Sequence, residues 1–288
     1  MSEFQKIGIV GRPNSSLAQE TIGRLINFLQ SKGLETMPED RCAEVVSRSD
    51  GMTRQQLGEQ SDLIMVVGGD GSMLHAARDL VDYDVPLLGI NRGRLGFLTD
   101  IHPDEIETKV TEVLDGRYVI TRRFMLECEI VREGNPVGYG TALNDVVLQP
   151  TDSIRMIEFD LHIDQQYVYT QRSDGLIVST PTGSTAYALS GGGPIVHPNL
   201  HAIDIVPINP HLLSNRPIVV SGNSKLEVKI AADNEIYPVM VCDGQSSIKA
   251  EPGDQIVIRR KNKEIQLLHP VEHDFYETCR SKLHWASR

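Results

Sequence analysis

Asp70 stands inside a glycine turn, Val67-Gly68-Gly69-Asp70-Gly71-Ser72-Met73, where a carboxylate can take a proton from an alcohol. The turn follows an apolar run, Leu63-Ile64-Met65-Val66-Val67, and precedes a helix-like segment from Met73 to Arg78. That order reads as strand, glycine turn, helix. Glycines open backbone dihedrals closed to other residues, so several N–H groups can converge on one point. The helix N-terminus adds partial positive charge, and the pair suits phosphate. Gly68, Gly69, Gly71 and Ser72 are the candidate phosphate loop, with N–H groups from Gly69 to Met73 as anion donors. A carboxylate repels a bare phosphate, so Asp70 makes sense as the handler of a hydroxyl proton or of a phosphate-bound metal. The chemistry implied is phosphoryl transfer. No GK[ST] follows, so the turn is not a Walker loop, and it is not the GxGxxG dinucleotide fingerprint. Taken alone, it also fits a plain structural turn.

Asn144-Asp145 interrupts an apolar stretch, with Ala142-Leu143 before it and Val146-Val147-Leu148 after it. An amide beside a carboxylate at a strand end can grip the two hydroxyls of a ribose; a β-bulge or turn fits the same residues. Ser173-Asp174-Gly175 leads to a hydroxyl- and glycine-rich stretch, Ser179 to Pro194, with a helix expected to begin near Thr182. Short donors and close backbone approach suit riboses and phosphates there, the plainer alternative being a Ser/Thr helix cap. Tyr187 is placed either to stack on an adenine or simply to pack. His197/His201 and His269/His273 have i,i+4 spacing, but a proline follows the first histidine of each pair. A shared helical face is not expected, and neither is metal ligation by these pairs.

The elements that position these residues alternate in the first part of the chain. Lys6 to Val10 reads as a buried strand. A helix is expected from about Ser15 to Lys32, with Leu17, Ile22, Leu25, Ile26 and Leu29 on one face and Gly33 as its stop. Asp62 to Val67 and Val85 to Ile90 read as strands, and Pro103 to Leu114 as a helix. Apolar strands separated by helices imply a parallel sheet with right-handed crossovers, which binds ligands at its carboxyl ends. Asp70 and Asn91 both lie just past strand ends and are expected to share a cleft. From about Arg117 the period changes: Phe124, Leu126, Cys128 and Ile130 alternate with glutamates, as do Leu226, Val228 and Ile230 with Glu227 and Lys229. Period-two patterning with turn signals to about Leu268 predicts an antiparallel β domain. His273 to Leu283 reads as a helix.

At 288 residues the chain has room for two modest domains, and a net charge of −11 argues against broad nucleic-acid or anionic-membrane binding. An acidic protein handling polyphosphates needs local N–H groups, a few arginines and a divalent metal. No apolar run has the length of a membrane span and the start lacks a signal-peptide pattern, which predicts a cytoplasmic protein. Cys42, Cys128, Cys242 and Cys279 lie far apart in sequence and form no CxxC, which fits reduced thiols.

Gly68-Gly69-Asp70-Gly71, Gly89-Ile90-Asn91-Arg92-Gly93-Arg94-Leu95-Gly96-Phe97-Leu98, Asn144-Asp145, Arg172-Ser173-Asp174-Gly175 and the Thr180 to Pro194 stretch together resemble the NAD kinase family in its bacterial form. The resemblance spans nearly the whole chain in order. It implies an α/β N-terminal domain with a parallel sheet, residues 1–116, onto which the C-terminal helix 269–288 packs back, and a β-rich, antiparallel, sandwich-like NAD-binding domain, residues 117–268. NAD is expected between them, in a homotetramer or homodimer whose neighbouring subunits help complete each site. The implied reaction is ATP-dependent phosphorylation of the 2′-hydroxyl on the adenosine ribose of NAD, giving NADP and ADP, with a divalent metal such as Mg2+ whose ligands stay unassigned. Carried over by motif, Asp70 is the proton acceptor, with Gly71 beside it in the phosphate loop. Asn144 and Asp145 hold the adenosine ribose, and Arg172 and Asp174 contact the dinucleotide. Thr185, Ala186, Tyr187, Ala188, Leu189 and Ser190 line the adenine and ribose region, and Arg155 and Gln245 are further ligand contacts. Many family members carry glutamate where this chain has Asp145, one methylene longer. The rival readings are a lipid or sugar kinase sharing the GGDG loop, and a non-catalytic NAD(P)-binding sensor.

Overall fold

The structure, a computed structural model, describes residues 4–92, 96–151, 155–212 and 214–285. It divides into two compact units, one made of residues 1–122 and 265–288, the other of residues 123–264.

In chain order the first unit holds β1 (Lys6–Gly11), α1 (Ser16–Ser31), β2 (Glu35–Pro38), α2 (Asp40–Val45), α3 (Arg54–Gln60), β3 (Leu63–Val67), α4 (Asp70–Leu80), β4 (Leu87–Ile90) and α5 (Ile106–Leu114). The strands run parallel in the order β2-β1-β3-β4. Every residue of β3 is buried, the mark of a strand covered on both faces. Ile7, Ile9, Leu63, Met65, Val67, Leu88 and Ile90 pack with Ile22, Leu25, Ile26 and Leu29 of α1 and Ile106, Val110 and Val113 of α5. Helix α1 starts where Ser15 accepts the Ala18 N–H, and it stops before Gly33, whose φ is +76°. Leu17, expected on the buried face, is 46% exposed. The short elements β2, α2 and α3 carry too few periodic residues to be read in the sequence. Thr53 and Gln56 form a capping box at the start of α3.

The second unit contains most of β5 (Tyr118–Arg132), then β6 (Asn135–Ala142), β7 (Asp145–Pro150), β8 (Ile157–Ile163), β9 (Gln166–Ser173), β10 (Gly175–Ser179), α6 (Tyr187–Ser190), β11 (Ala202–Ile208), β12 (Ile218–Ser221), β13 (Leu226–Ile230), β14 (Pro238–Cys242), β15 (Ser246–Lys249) and the first part of β16 (Gln255–Pro270). One antiparallel sheet runs β12-β11-β10-β7-β14-β15; a second series pairs β16, β13, β8 and β9. Leu126, Ile130, Val146, Leu148, Phe159, Leu161, Leu176, Ile205, Val228, Met240 and Ile256 share one core, as in a sandwich. The end of β16 adds a parallel strand beside β4 in the first unit, Leu267 opposite Leu87, and α7 (Phe275–Leu283) follows, capped by Asp274. The expected α/β domain and antiparallel β domain are both present. No helix among the described residues is long and apolar enough to cross a membrane.

Candidate functional site

In the first unit, Asp70 is the first residue of α4, with Gly69 as its N-cap. The helix therefore starts three residues earlier than the sequence pattern indicates. Asp70 Oδ2 accepts the Phe97 N–H at 2.9 Å and Oδ1 accepts the Leu98 N–H at 3.0 Å. Gly96 makes this possible: a Cβ there would lie 2.0 Å from Asp70 Oδ1. Asn91 is buried, its Nδ2 donates to Thr99 Oγ1 at 3.2 Å, and its N–H donates to the Ile101 carbonyl at 2.8 Å. One segment, 96–101, thus holds both Asp70 and Asn91. Gly93, Arg94 and Leu95 lie outside the described residues.

The phosphate loop departs from expectation in one respect. The Gly68 N–H donates to the Ile90 carbonyl, and the Ser72 and Met73 N–H groups both donate to the Gly69 carbonyl. Those three donors are engaged by α4 and β4, so the Gly69-to-Met73 donor set contracts to its first members. A cavity of about 660 Å3, not foreseen from the sequence, is lined by Gly11, Arg12, Asn14, Arg41, Arg54 and His75, with Glu39 and Asp79. It opens at the carboxyl end of β1 and shares α4 with Asp70. Arg54 pairs with Glu39 at 2.9 Å and with Asp79 at 2.5 Å, while burial and the facing arginines lower the His75 pKa.

In the second unit, Asn144 and Asp145 sit where the chain enters β7, and the side chain that fixes them is one the sequence did not single out. Asp243 accepts the Leu143 N–H at 3.0 Å, the Asn144 N–H at 2.7 Å and the Asp145 N–H at 3.3 Å. Its own N–H donates to the Asp145 carbonyl at 2.9 Å. Asp243 and Gly244 take φ values of +52° and +63° in the β14–β15 hairpin, which also carries Gln245. Burial, then the neighbouring Asp243 charge, push Asp145 up to about 7.

The Thr180 N–H donates to the Asn144 carbonyl at 2.8 Å, and Thr180 Oγ1 donates to the Leu143 carbonyl at 2.5 Å. Ser184 Oγ donates to the Pro181 carbonyl at 2.7 Å and accepts the Val196 N–H at 2.9 Å. These hydroxyls are buried and hold the loop together. In place of a helix from Thr182 there is a 3-10 turn, Gly183–Thr185, and then the single turn of α6. Thr185, Ala186 and Leu189 are half-buried, Tyr187 and Ser190 exposed. Ala188 packs its methyl against Val147, Ile177 and Val206, so only its backbone can meet a ligand.

Arg172 and Asp174 lie elsewhere in this unit. In the β7–β10 ladder Asp145 faces Ser179 and Leu148 faces Leu176, so Asp174 is at the opposite end of β10 from Asp145. At ~3.3 Å per residue, the run from Ser179 to Asp174 is about 16 Å. Asn209 Nδ2 donates to Asp174 at 2.9 Å. Arg155 and Arg172 line a separate cavity of about 350 Å3 with Glu158, Asp233 and Glu235. Arg155 pairs with Glu235, and Arg172 lies 3.6 Å from Glu158.

Two residue pairs for which no contact was expected come together. Cys128 and Cys242 Sγ lie 3.4 Å apart, both buried as free thiols. The His269 and His273 rings stack at 3.9 Å, although, as the proline implies, they share no helical face. A turn brings them together in place of a helix: the His273 N–H donates to the Pro270 carbonyl at 3.0 Å.

Comparison with known proteins extends over both units. Residues 7–118 match the family model described as the ATP-NAD kinase N-terminal domain, and residues 143–269 match the ATP-NAD kinase C-terminal domain. The NAD kinase of Azotobacter vinelandii is 56% identical over 291 aligned residues, covering 100% of this chain and 98% of that one. The NAD kinase of Pseudomonas entomophila is 55% identical with the same coverage. Among solved structures, yeast NADH kinase complexed with NADH superposes with a TM-score of 0.89 at 26% identity, over 99% of this chain and 89% of the other. An NAD kinase from Archaeoglobus fulgidus in complex with ATP gives a TM-score of 0.76 at 26% identity, over 97% and 98%. Matched in both halves and along its full length, the chain belongs to the ATP-NAD kinase family.

Proposed function

We propose that this chain is an NAD kinase that transfers the γ-phosphoryl group of ATP to the 2′-hydroxyl of the adenosine ribose of NAD, giving NADP and ADP. The observation that carries the reading is the Asp70 carboxylate, held by the Phe97 and Leu98 N–H groups at the first turn of α4, in a chain 56% identical to an NAD kinase. Phosphoryl transfer runs through a loose transition state, so the protein mainly positions reactants and offsets charge. The ribose oxygen bonds to the γ-phosphorus, the ADP oxygen leaves with the electron pair of the broken P–O bond, and Asp70 accepts the hydroxyl proton late. Gly69 and Asp70 N–H groups meet phosphate oxygens, and Arg12 and Arg41 supply positive charge in the cavity beside α4.

The Asp70 side chain also fits a divalent cation on the ATP phosphates, Mg2+ in this reading. Each of its oxygens accepts a single N–H and keeps further acceptor capacity. When bound, such an ion neutralises phosphate charge.

Asn144 and Asp145 hold the adenosine ribose, with Gln245 beside them on the Asp243 hairpin. Thr185, Ala186, Tyr187, Leu189 and Ser190, with the Ala188 backbone, line the adenine and ribose region. Arg155, Arg172 and Asp174 contact the dinucleotide of a neighbouring subunit in a homotetramer or homodimer. Asp174 precedes β10 at the end opposite Asp145, Arg172 lies two residues before it, and Arg155 shares a cavity with Arg172, which supports this last assignment. The two compact units support a working division into residues 1–116 with residues 269–288, carrying the GGDG loop, and residues 117–268, carrying the dinucleotide residues. Four free, buried cysteines accord with a cytoplasmic setting.

The test is NADPH formation from purified protein, Mg2+, ATP and NAD, read through an NADP-specific dehydrogenase. Wild type makes product, and Asp70→Asn lowers kcat by at least about 10²-fold while NAD still binds. A wild-type protein that binds NAD and makes nothing would be a sensor, and an active Asp70→Asn enzyme would remove Asp70 from the role of base.

A further inference from the structure

Asp100, His269 and His273 converge on one point within the first unit. The His269 Nδ1 contacts Asp100 Oδ2, and the His273 Nδ1 lies 3.2 Å from Asp100 Oδ1. One ligand atom from each of the three residues lies within 4.8 Å of the other two. His269 is 1% exposed, and the Asp100 and His273 side chains are each 12% exposed.

We propose that these three residues bind a transition-metal dication, with Zn2+ as the ion that fits. Two imidazole nitrogens and one carboxylate oxygen are a zinc donor set with a fourth position for water, whereas Mg2+ takes oxygen ligands. Asp100 and His273 also line a cavity of about 290 Å3, with Glu105, Lys109, Glu272, Asp274 and Glu277, through which water can reach the site. The carboxylates give that cavity a negative field. Lys109, its cation, pairs with Glu272 at 2.9 Å and Glu112 at 3.2 Å.

A histidine that ligates through Nδ1 needs a partner for its Nε2–H, and a fixed partner sets both tautomer and ring orientation. Thr121 Oγ1 lies 2.8 Å from His269 Nε2 and takes that place. The site draws on three stretches of chain: the segment after β4, the end of β16 and the turn before α7. Asp100 is two residues beyond Leu98, whose N–H holds Asp70. A bound Zn2+ therefore ties the C-terminal turn to the segment that positions Asp70.

Metal-stripped full-length protein is titrated with Co2+ and then Zn2+, followed by visible absorption, metal analysis and thermal unfolding. Wild type is expected to take up one Co2+ per chain with the visible d–d bands of a tetrahedral N/O site, to lose them to Zn2+, and to gain Tm on Zn2+ addition. His273→Ala abolishes the bands and the Tm gain, whereas His211→Ala, on the exposed loop after β11, keeps both. Thr121→Val keeps all three ligands and weakens binding by about 10- to 100-fold. X-ray absorption of the zinc-loaded wild type provides a readout free of variants, with two imidazoles in the ligand shell. Wild type without bands or bound metal, bands that survive His273→Ala, or a shell without imidazole would each overturn the site and leave a hydrogen-bonded structural triad.

Discussion

The Asp243 carboxylate accepts the backbone N–H of Asn144 at 2.7 Å, and the same side chain takes the Leu143 and Asp145 N–H groups at 3.0 and 3.3 Å. One acceptor thus fixes the whole entry to β7. A carboxylate is well suited to the task because charged acceptors form the stronger hydrogen bonds. Asp243→Ala leaves buried donors without a partner and is expected to lower stability by about 3 kcal/mol. It also loosens the Asn144–Asp145 pair, so KM for NAD rises by at least about 10-fold. Asp243→Asn retains the oxygen that serves Asn144 and Asp145 and has a smaller effect on both. Urea unfolding and steady-state kinetics of the two variants check this; an Asp243→Ala protein with wild-type KM would separate the clamp from the ribose.

Burial and the Asp243 charge push Asp145 up to about 7 from an ordinary value of 3.8. A raised carboxylate pKa means that the folded chain binds the proton more tightly than the unfolded chain. The stability Asp145 contributes is therefore fully present below about pH 4 and is lost as pH rises through about 7. With Asp145 in its proposed place at the ribose, ligand binding runs the other way, because the ionised form accepts a hydroxyl hydrogen bond more strongly. KM for NAD is expected to fall about 10-fold between pH 6 and pH 8, following the ionised fraction. Asp145→Asn flattens that profile, and a profile unchanged in the variant would assign the titration to another group.

Gly96 lies against Asp70 so closely that an added Cβ would come within 2.0 Å of Oδ1. Gly96→Ala must shift the carboxylate or the segment that donates to it. Misplacement of a reacting group by about 1 Å costs on the order of 10²-fold in rate, so kcat is expected to drop by that much. NAD affinity stays near wild type, since Asn144 and Asp145 are untouched. Single-turnover kinetics with equilibrium NAD binding check the split; a loss confined to binding would contradict it.

The residues legible in the sequence were those whose signal is local. Gly68 and Gly69 sit between an apolar strand and a helix, and Leu226-Val228-Ile230 alternate with charged neighbours, so strand, turn and β domain could all be read from the local pattern. Asp243-Gly244 has the form of a hairpin turn, but the reach of the Asp243 carboxylate to Asn144, 99 positions away, leaves no local signal. Distance in sequence likewise hid Asp100, whose partner His269 is 169 positions away. The proline after His269 rules out a shared helical face, and a tight turn brings the two rings together in its place. The hydroxyls of Thr180 and Ser184 pointed to ligand binding by type, yet their partners are backbone carbonyls. Composition does not distinguish a hydroxyl that builds a loop from one that faces a substrate.

Asp204 on β11 is 1% exposed, and neither of its carboxylate oxygens has a hydrogen-bond partner of good geometry among the described residues. It lies beneath the Gly191–Gly193 loop, where a Cβ on Gly193 would come 2.5 Å from Oδ2. Burial pushes its pKa up to about 6, with the Ile205 backbone opposing slightly. With a raised folded-state pKa, stability is favoured at low pH and lost as pH rises through about 6, so above that value the folded chain carries a buried charge. Valine replaces the two oxygens with methyls of similar shape and favours a strand. Asp204→Val is therefore expected to stabilise the protein by about 1–3 kcal/mol at pH 8, and by less at pH 5. The comparison needs urea unfolding of both proteins at the two pH values. Equal stability at pH 8 would mean that the carboxylate finds compensation on the folded chain, and a loss of NAD binding with the gain in stability would give the buried charge a part in shaping the Gly191–Gly193 loop.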